Sequence, residues 1–162
     1  MNFKKIIPDT LIVLTIFLMD RIFKIYILKI AELEEKVDIY INSFLNFYLI
    51  WNKGIAFGLL SFDKIIIYQL ISLIIFTISV VLIFMIIKSE GLKKYSLISI
   101  LGGALGNLFD RIYYSAVPDF IDLHFNGFHW FIFNLADIFI TIGVICLILD
   151  ELIFYKKNNE TK

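Results

Sequence analysis

The sequence predicts an all-α membrane protein, a four-transmembrane-helix bundle with a small extracytoplasmic β-structured segment. Three observations carry that reading. Of the 162 residues, 60% are hydrophobic, well above the usual share in soluble domains. Four stretches, about 8–30, 64–87, 95–113 and 134–155, approach the roughly 20 mostly apolar residues needed to cross about 30 Å of hydrocarbon. Between the first two lies a segment, about 37–60, whose pattern is not helical.

The first stretch follows Met1-Asn2-Phe3-Lys4-Lys5, an opening that also suits a secretory signal. Asp20, Arg21 and Lys24 stand where a small-residue cleavage site belongs, so it reads as a retained first helix. Next, Val37, Ile39 and Ile41 alternate with Asp38, Tyr40 and Asn42, and an aromatic run from Phe44 to Trp51 ends in Asn52-Lys53-Gly54. Alternation followed by a turn reads as short strands. The second helix is the cleanest, because Ile65 to Ile87 holds no charge. The third carries Gly102, Gly103, Ala104 and Gly106, including a Gly-xxx-Gly pair that lets a neighbouring helix approach closely. After it, Asn126-Gly127 forms a hairpin-type turn between aromatic runs, and the piece from His124 to Phe133 suits either an interfacial aromatic belt or a small sheet. The fourth helix closes a single domain spanning 1–162.

Orientation follows from the cations. Lys4, Lys5, Lys88, Lys93, Lys94, Lys156, Lys157 and Lys162 all fall on one side, whereas 112–130 contains no Lys or Arg. Cytoplasmic loops carry that excess, so both termini are expected in the cytoplasm. The fifteen basic and fifteen acidic residues cancel, which argues against nucleic acid as a partner. A single cysteine, Cys146, excludes an intrachain disulfide and a cysteine-based metal cluster.

The remaining charges gather at one depth. At about 1.5 Å per residue, Asp20 lies about 18 Å along the first helix from its cytoplasmic end, and Asn107 about as far along the third. Asp110 and Arg111 follow, Asp119 and Asp122 occupy a short outer connection, and Asn134 and Asp137 open the fourth helix. Charges in spanning helices cost several kcal/mol and demand partners or a function. Spacings of i, i+3 and i+4 put Asn107, Asp110 and Arg111 on one helix face, and Asn134 with Asp137 on another. Asp20 and Lys24, at i and i+4, read as a structural ion pair. Asp110 and Arg111 divide between scaffold and substrate contact.

Asp119 and Asp137 are the candidate catalytic pair. Two carboxyls held close in a poorly hydrated site do not both ionise easily, so one stays protonated and the other charged, which supplies an acid and a base together. Asp122 reads first as a solvated loop carboxylate, with a third place in the site as the alternative. His124 and His129 lack metalloprotease spacing and suit interfacial hydrogen bonding, and no Ser lies in a nucleophile elbow. No metal or organic cofactor is expected.

Five blocks then resemble, in order and spacing, the bacterial lipoprotein signal peptidase (type II signal peptidase) family. They are Asp20-x-x-x-Lys24; Phe44-Leu45-Asn46 with Asn52-x-Gly54-x-Ala56-Phe57-Gly58; Gly102 to Arg111; Val117-x-Asp119-Phe120-Ile121-Asp122; and Phe133-Asn134-x-Ala136-Asp137. The resemblance implies a membrane aspartic endopeptidase that removes the signal peptide of diacylglyceryl-modified prolipoproteins, cutting just before the lipidated cysteine. It implies Asp119 and Asp137 as the catalytic dyad, and Asn52, Asn107, Asp110, Arg111 and Asn134 as residues that line or brace the site. It makes 37–60 a small extracytoplasmic sheet and half-helix covering the substrate. It also implies a monomer in the bacterial cytoplasmic (inner) membrane, with membrane lipid and prolipoproteins as partners and the active site at the extracytoplasmic face. Arg21, Ile55, Pro118 and Phe131 depart from the family's common residues. The alternative from another class is a small proton-coupled membrane transporter, whose key acid belongs nearer the bilayer midplane.

Overall fold

A computed structural model of the chain describes residues 3–54 and 65–160. Its four helices are α1 (Phe3–Glu34), α2 (Ile65–Lys88), α3 (Gly91–Tyr114) and α4 (Leu135–Glu160). Four strands lie between them: β1 (Asp38–Asn42), β2 (Leu45–Asn52), β3 (Val117–Phe125) and β4 (Phe128–Phe133). α2 matches its expected stretch to within a residue, while α1, α3 and α4 extend past theirs, since apolar length alone does not report the polar turns at a helix end. Glu35, with φ 59°, turns the chain out of α1 in the left-handed conformation that ends many helices. The half-helix expected toward residue 60 lies outside the described residues.

The strands form one antiparallel sheet in the order β1-β2-β3-β4. The connection between α3 and α4, expected as a short outer loop carrying Asp119, is therefore a hairpin, and sheet wins over aromatic belt. Its turn is Asn126-Gly127, with φ of 48° and 78°, the pair of left-handed residues that a tight hairpin matching strand twist requires. Pairing of β2 with β3 sets Asn52 opposite Val117 and Ile50 opposite Asp119. Two distant stretches of sequence thus bring Asn52 beside Asp119.

α3 is the central helix, packed against α1, α2 and α4. Gly102 and Gly106 face α1: a methyl at Gly102 would come within 2.8 Å of Ile16, and one at Gly106 within 2.6 Å of the Asp20 carboxylate. Gly103 faces α4, where a methyl would press on the backbone carbonyl of Ala136. Buried Leu82, Ile86, Leu97, Ile98 and Leu101 fill the seam between α2 and α3. Ile27, Val37 and Phe120 join the sheet to the end of α1, and Phe47 meets the Phe120 ring edge-on at 6.0 Å.

The bundle is apolar outside and polar inside. Ile22 and Ile25 of α1, Leu73 and Phe84 of α2, Ile112 of α3 and Ile148 and Leu152 of α4 are exposed, while Asp20, Lys24 and Asp110 are fully buried. Among the described residues, one helical stretch, Tyr68–Lys88, is long and apolar enough to cross a membrane by length and composition alone.

Candidate active site

A neutral cluster of four charges lies between α1 and α3. Lys24 Nζ is 2.8 Å from Asp20 Oδ2 and 2.6 Å from Asp110 Oδ2, and it donates to Asn107 Oδ1 at 3.0 Å. Arg21 adds an ion pair to each acid, to Asp20 at 2.8 Å and to Asp110, and its guanidinium lies over the Phe109 ring at 4.9 Å. Sequence spacing suggests only the Asp20–Lys24 pair; Arg21, a departure from the family pattern, completes the charge balance. Two cations against two anions compensate the desolvation that burying any one of them alone would leave unanswered. Asp110 is thus tied into this ion cluster through Lys24 and Arg21.

The cluster reaches the start of α4 by two routes. Asp20 Oδ1 accepts the backbone N–H of Ala136 at 3.1 Å, satisfying one of the orphan donors of the helix N-terminus. Gly106 gives Asp20 the room to do so. Asn107, held by Lys24, donates through Nδ2 to Asp137 Oδ1 at 2.8 Å.

Asn134 and Asp137 form a capping box. Asn134 Oδ1 accepts the Asp137 N–H at 3.1 Å, and Asp137 Oδ2 accepts the Asn134 N–H at 3.2 Å. The same Asn134 donates through Nδ2 to Asp119 Oδ1 at 2.6 Å. One asparagine therefore contacts both acids. The second oxygen of Asp119 accepts from Asn52 Nδ2 at 2.8 Å, and Asn52 Oδ1 in turn accepts the Gly54 N–H at 2.7 Å. Arg111 donates to the carbonyls of Gly54 (3.0 Å) and Asn107 (3.2 Å), tying the turn after β2 to α3. Arg111 thus braces that turn and also lines the cavity beside it.

Asp119 is fully buried and Asp137 is 4% exposed. Burial, and next the charge of Asp137, push the Asp119 carboxyl up to about 7, against the pull of the Asn52 and Asn134 donors. A cavity of about 1000 Å³, lined by Trp51, Tyr68, Gln69 and Arg111 among others, opens beside this layer, and Asp137 borders a second, apolar one of about 200 Å³ with Phe133 and Ile138. Asp122 takes no part. Three residues along a strand from Asp119, it points to the opposite face, and it is a buried strand residue bonded to His129 at 2.8 Å, not a solvated loop carboxylate.

A family model described as signal peptidase (SPase) II matches residues 12–153. The lipoprotein signal peptidase of Pelagibacter ubique (strain HTCC1062) is 58% identical over 160 residues, covering 98% of this chain and 96% of that one. That of Francisella tularensis subsp. novicida (strain U112) is 44% identical over 133 residues, 78% of this chain and 81% of its own. Among solved structures, a bacterial membrane enzyme determined by the in meso method at 2.3 Å resolution superposes with a TM-score of 0.75 at 30% identity, covering 96% of this chain and 92% of the other.

Proposed function

This chain belongs to the signal peptidase II family, aspartic peptidases of the bacterial membrane that remove signal peptides from prolipoproteins, and we propose that it cuts with Asp119 and Asp137 as its acid and base. The observation that carries this is one residue, Asn134, joined to both buried carboxyls, to Asp119 through its side-chain amide and to Asp137 through its backbone N–H. It holds the two acids in one fixed frame, so that a water and a scissile carbonyl can sit between them.

Asp137 is the member to which we assign the charge. It lies in the first turn of α4, where the helix dipole favours a negative charge, and its two oxygens accept from Asn107 and from the Asn134 backbone. Asp119, with its proton affinity near neutrality, starts protonated. Asp137 takes a proton from water as the oxygen attacks the scissile carbonyl carbon, and Asp119 donates a hydrogen bond to the carbonyl oxygen as charge develops there. Collapse of the tetrahedral intermediate breaks the C–N bond, and the proton held by Asp137 passes to the departing amine. The products are a signal peptide ending in a new carboxyl group and a lipoprotein with a free amino terminus. No metal enters these steps.

The diacylglyceryl-modified cysteine of the substrate stands just after the cut, and its acyl chains stay in the bilayer while the bond reaches the polar layer from the side. All four helices span the membrane. Apolar side chains cover the outward faces of each, and the charges of α1 and α3 neutralise one another inside, which lowers the cost of burying them in hydrocarbon. The end opposite the sheet carries the Lys94–Asp9 and Lys93–Glu151 pairs and faces the cytoplasm with both termini, which leaves the sheet and the dyad at the extracytoplasmic face of the inner membrane. The enzyme works as a monomer. Incubation of the purified protein with a diacylated prolipoprotein tests the reading: the released peptide should have the mass of the signal sequence ending just before the modified cysteine. A substrate left whole, or cut elsewhere, contradicts it.

A further inference from the structure

On the other side of β3 from the dyad, three side chains form a group that peptide hydrolysis does not use. His129 Nδ1 is 2.8 Å from Asp122 Oδ2, and His124 Nδ1 is 3.8 Å from the same oxygen. The strands place them there. His124 and His129 are directly opposed across the β3–β4 hairpin, Asp122 is two residues from His124 on the same strand, and the two imidazole rings stand 5.3 Å apart.

Hydrogen bonding leaves this group unfinished. Asp122 is 2% exposed, yet its Oδ1 has no hydrogen-bond partner among the described residues, and neither has the buried Nδ1 of His124. Buried polar atoms of that kind ordinarily find a partner, because leaving one bare costs its full desolvation. A cation held between the imidazoles and the carboxylate would give His124 Nδ1 its partner and the buried Asp122 a counter-charge.

We propose that Asp122, His124 and His129 form a binding site for a divalent transition-metal ion, Zn²⁺ by preference, that clasps the β3–β4 hairpin. One ligand atom from each of the three lies within 4.8 Å of the others. Around a tetrahedral Zn²⁺ with bonds of about 2.0–2.2 Å, ligand atoms stand about 3.3 Å apart, so a small ring rotation closes the site. His129 is exposed along most of its side chain and is free to make that rotation. Two imidazoles and one carboxylate suit Zn²⁺ better than the all-oxygen preference of Mg²⁺ or Ca²⁺, and water completes the fourth position. The ion's effect is mechanical: it ties the two strands beside the bulge at Trp130 and Phe131, where β4 places two residues opposite Leu123. Asp119 and Asp137 lie outside it and keep the chemistry.

Untagged, full-length protein in detergent tests this by calorimetric titration with ZnCl₂ and by the visible spectrum of Co²⁺ in the same site. The expected result is one ion per chain, a four-coordinate Co²⁺ spectrum, and a higher unfolding temperature with Zn²⁺. His129→Ala, which alters an exposed side chain, and His124→Ala should each weaken binding by about tenfold or more and remove the thermal shift. Absence of binding by the parent, or binding that both variants retain unchanged, overturns the proposal. Peptidase activity is not the readout, so the outcome stands apart from the assignment of the dyad.

Discussion

Asn134 and Asp137 cap each other: the side-chain oxygen of each accepts the backbone N–H of the other, at 3.1 and 3.2 Å. Asn134 also reaches Asp119 at 2.6 Å, so the start of α4 and the alignment of the two acids are one structure. Asn134→Ala should therefore lose on both counts. We expect about 1–2 kcal/mol of lost stability from the cap and a fall in kcat of about 100-fold. Thermal unfolding and steady-state kinetics on the same preparation separate the two effects.

The four-charge cluster makes a harsher prediction for Lys24. Lys24→Met keeps the length of the side chain but leaves Arg21 alone to answer Asp20 and Asp110, both fully buried. Stability should drop by about 3–5 kcal/mol. Lys24→Met combined with Asp110→Asn restores charge balance and should recover part of that loss, as thermal unfolding in detergent would report. Equal stability of parent and single variant would contradict the role assigned to the cluster.

Gly106 and Gly103 differ in what stands in their way. A methyl at Gly106 meets the Asp20 carboxylate at 2.6 Å, and one at Gly103 meets the Ala136 backbone. Neither α1 nor α4 yields easily, so each Gly→Ala change should cost about 1–3 kcal/mol. Gly106→Ala should in addition slow catalysis, because Asp20 holds the Ala136 N–H next to Asp137.

Asp119 gives the pH dependence. Its proton is held to about 7, so kcat/KM should fall as pH rises through that value and the acid is lost. The sign for stability is the same. The folded chain holds this proton more tightly than the unfolded chain, whose carboxyl titrates near 3.8; the associated stability is complete below about 4 and is lost as pH rises to about 7. At pH 8, Asp119→Asn should therefore unfold a few °C higher than the parent, about what one to two kcal/mol confers, while losing activity. A variant melting lower at that pH would contradict the raised proton affinity.

Local signals in the sequence reach far in this protein, and nonlocal ones do not. The i, i+3 spacing of Asn134 and Asp137 brings them together, although as a cap ahead of α4 and a residue of its first turn rather than as two residues on one helix face, and the Asn126-Gly127 pair announces its hairpin, because both depend on neighbours in the chain. The glycines of α3 suggest close helix packing for the same reason. Strand β3 is harder to read: Val117–Asp122 looks like a connection until β2, far earlier in the chain, pairs with it. Arg21 looks like a mere departure beside Asp20, because its second partner, Asp110, comes from another helix. Asp122 is misread as solvated because its burial comes from sheet pairing on both sides, with Asn46 and Ile132.

The division of labour between Asp119 and Asp137 is tested most directly by Asp119→Asn and Asp137→Asn, made singly. Each is assayed for release of the signal peptide from a diacylated prolipoprotein, with thermal unfolding to show that the variant is folded. General acid and base catalysis typically contribute about 10²–10⁴-fold each, so each folded variant should lose at least that factor. A folded variant of either that processes substrate at the parent rate would contradict the dyad.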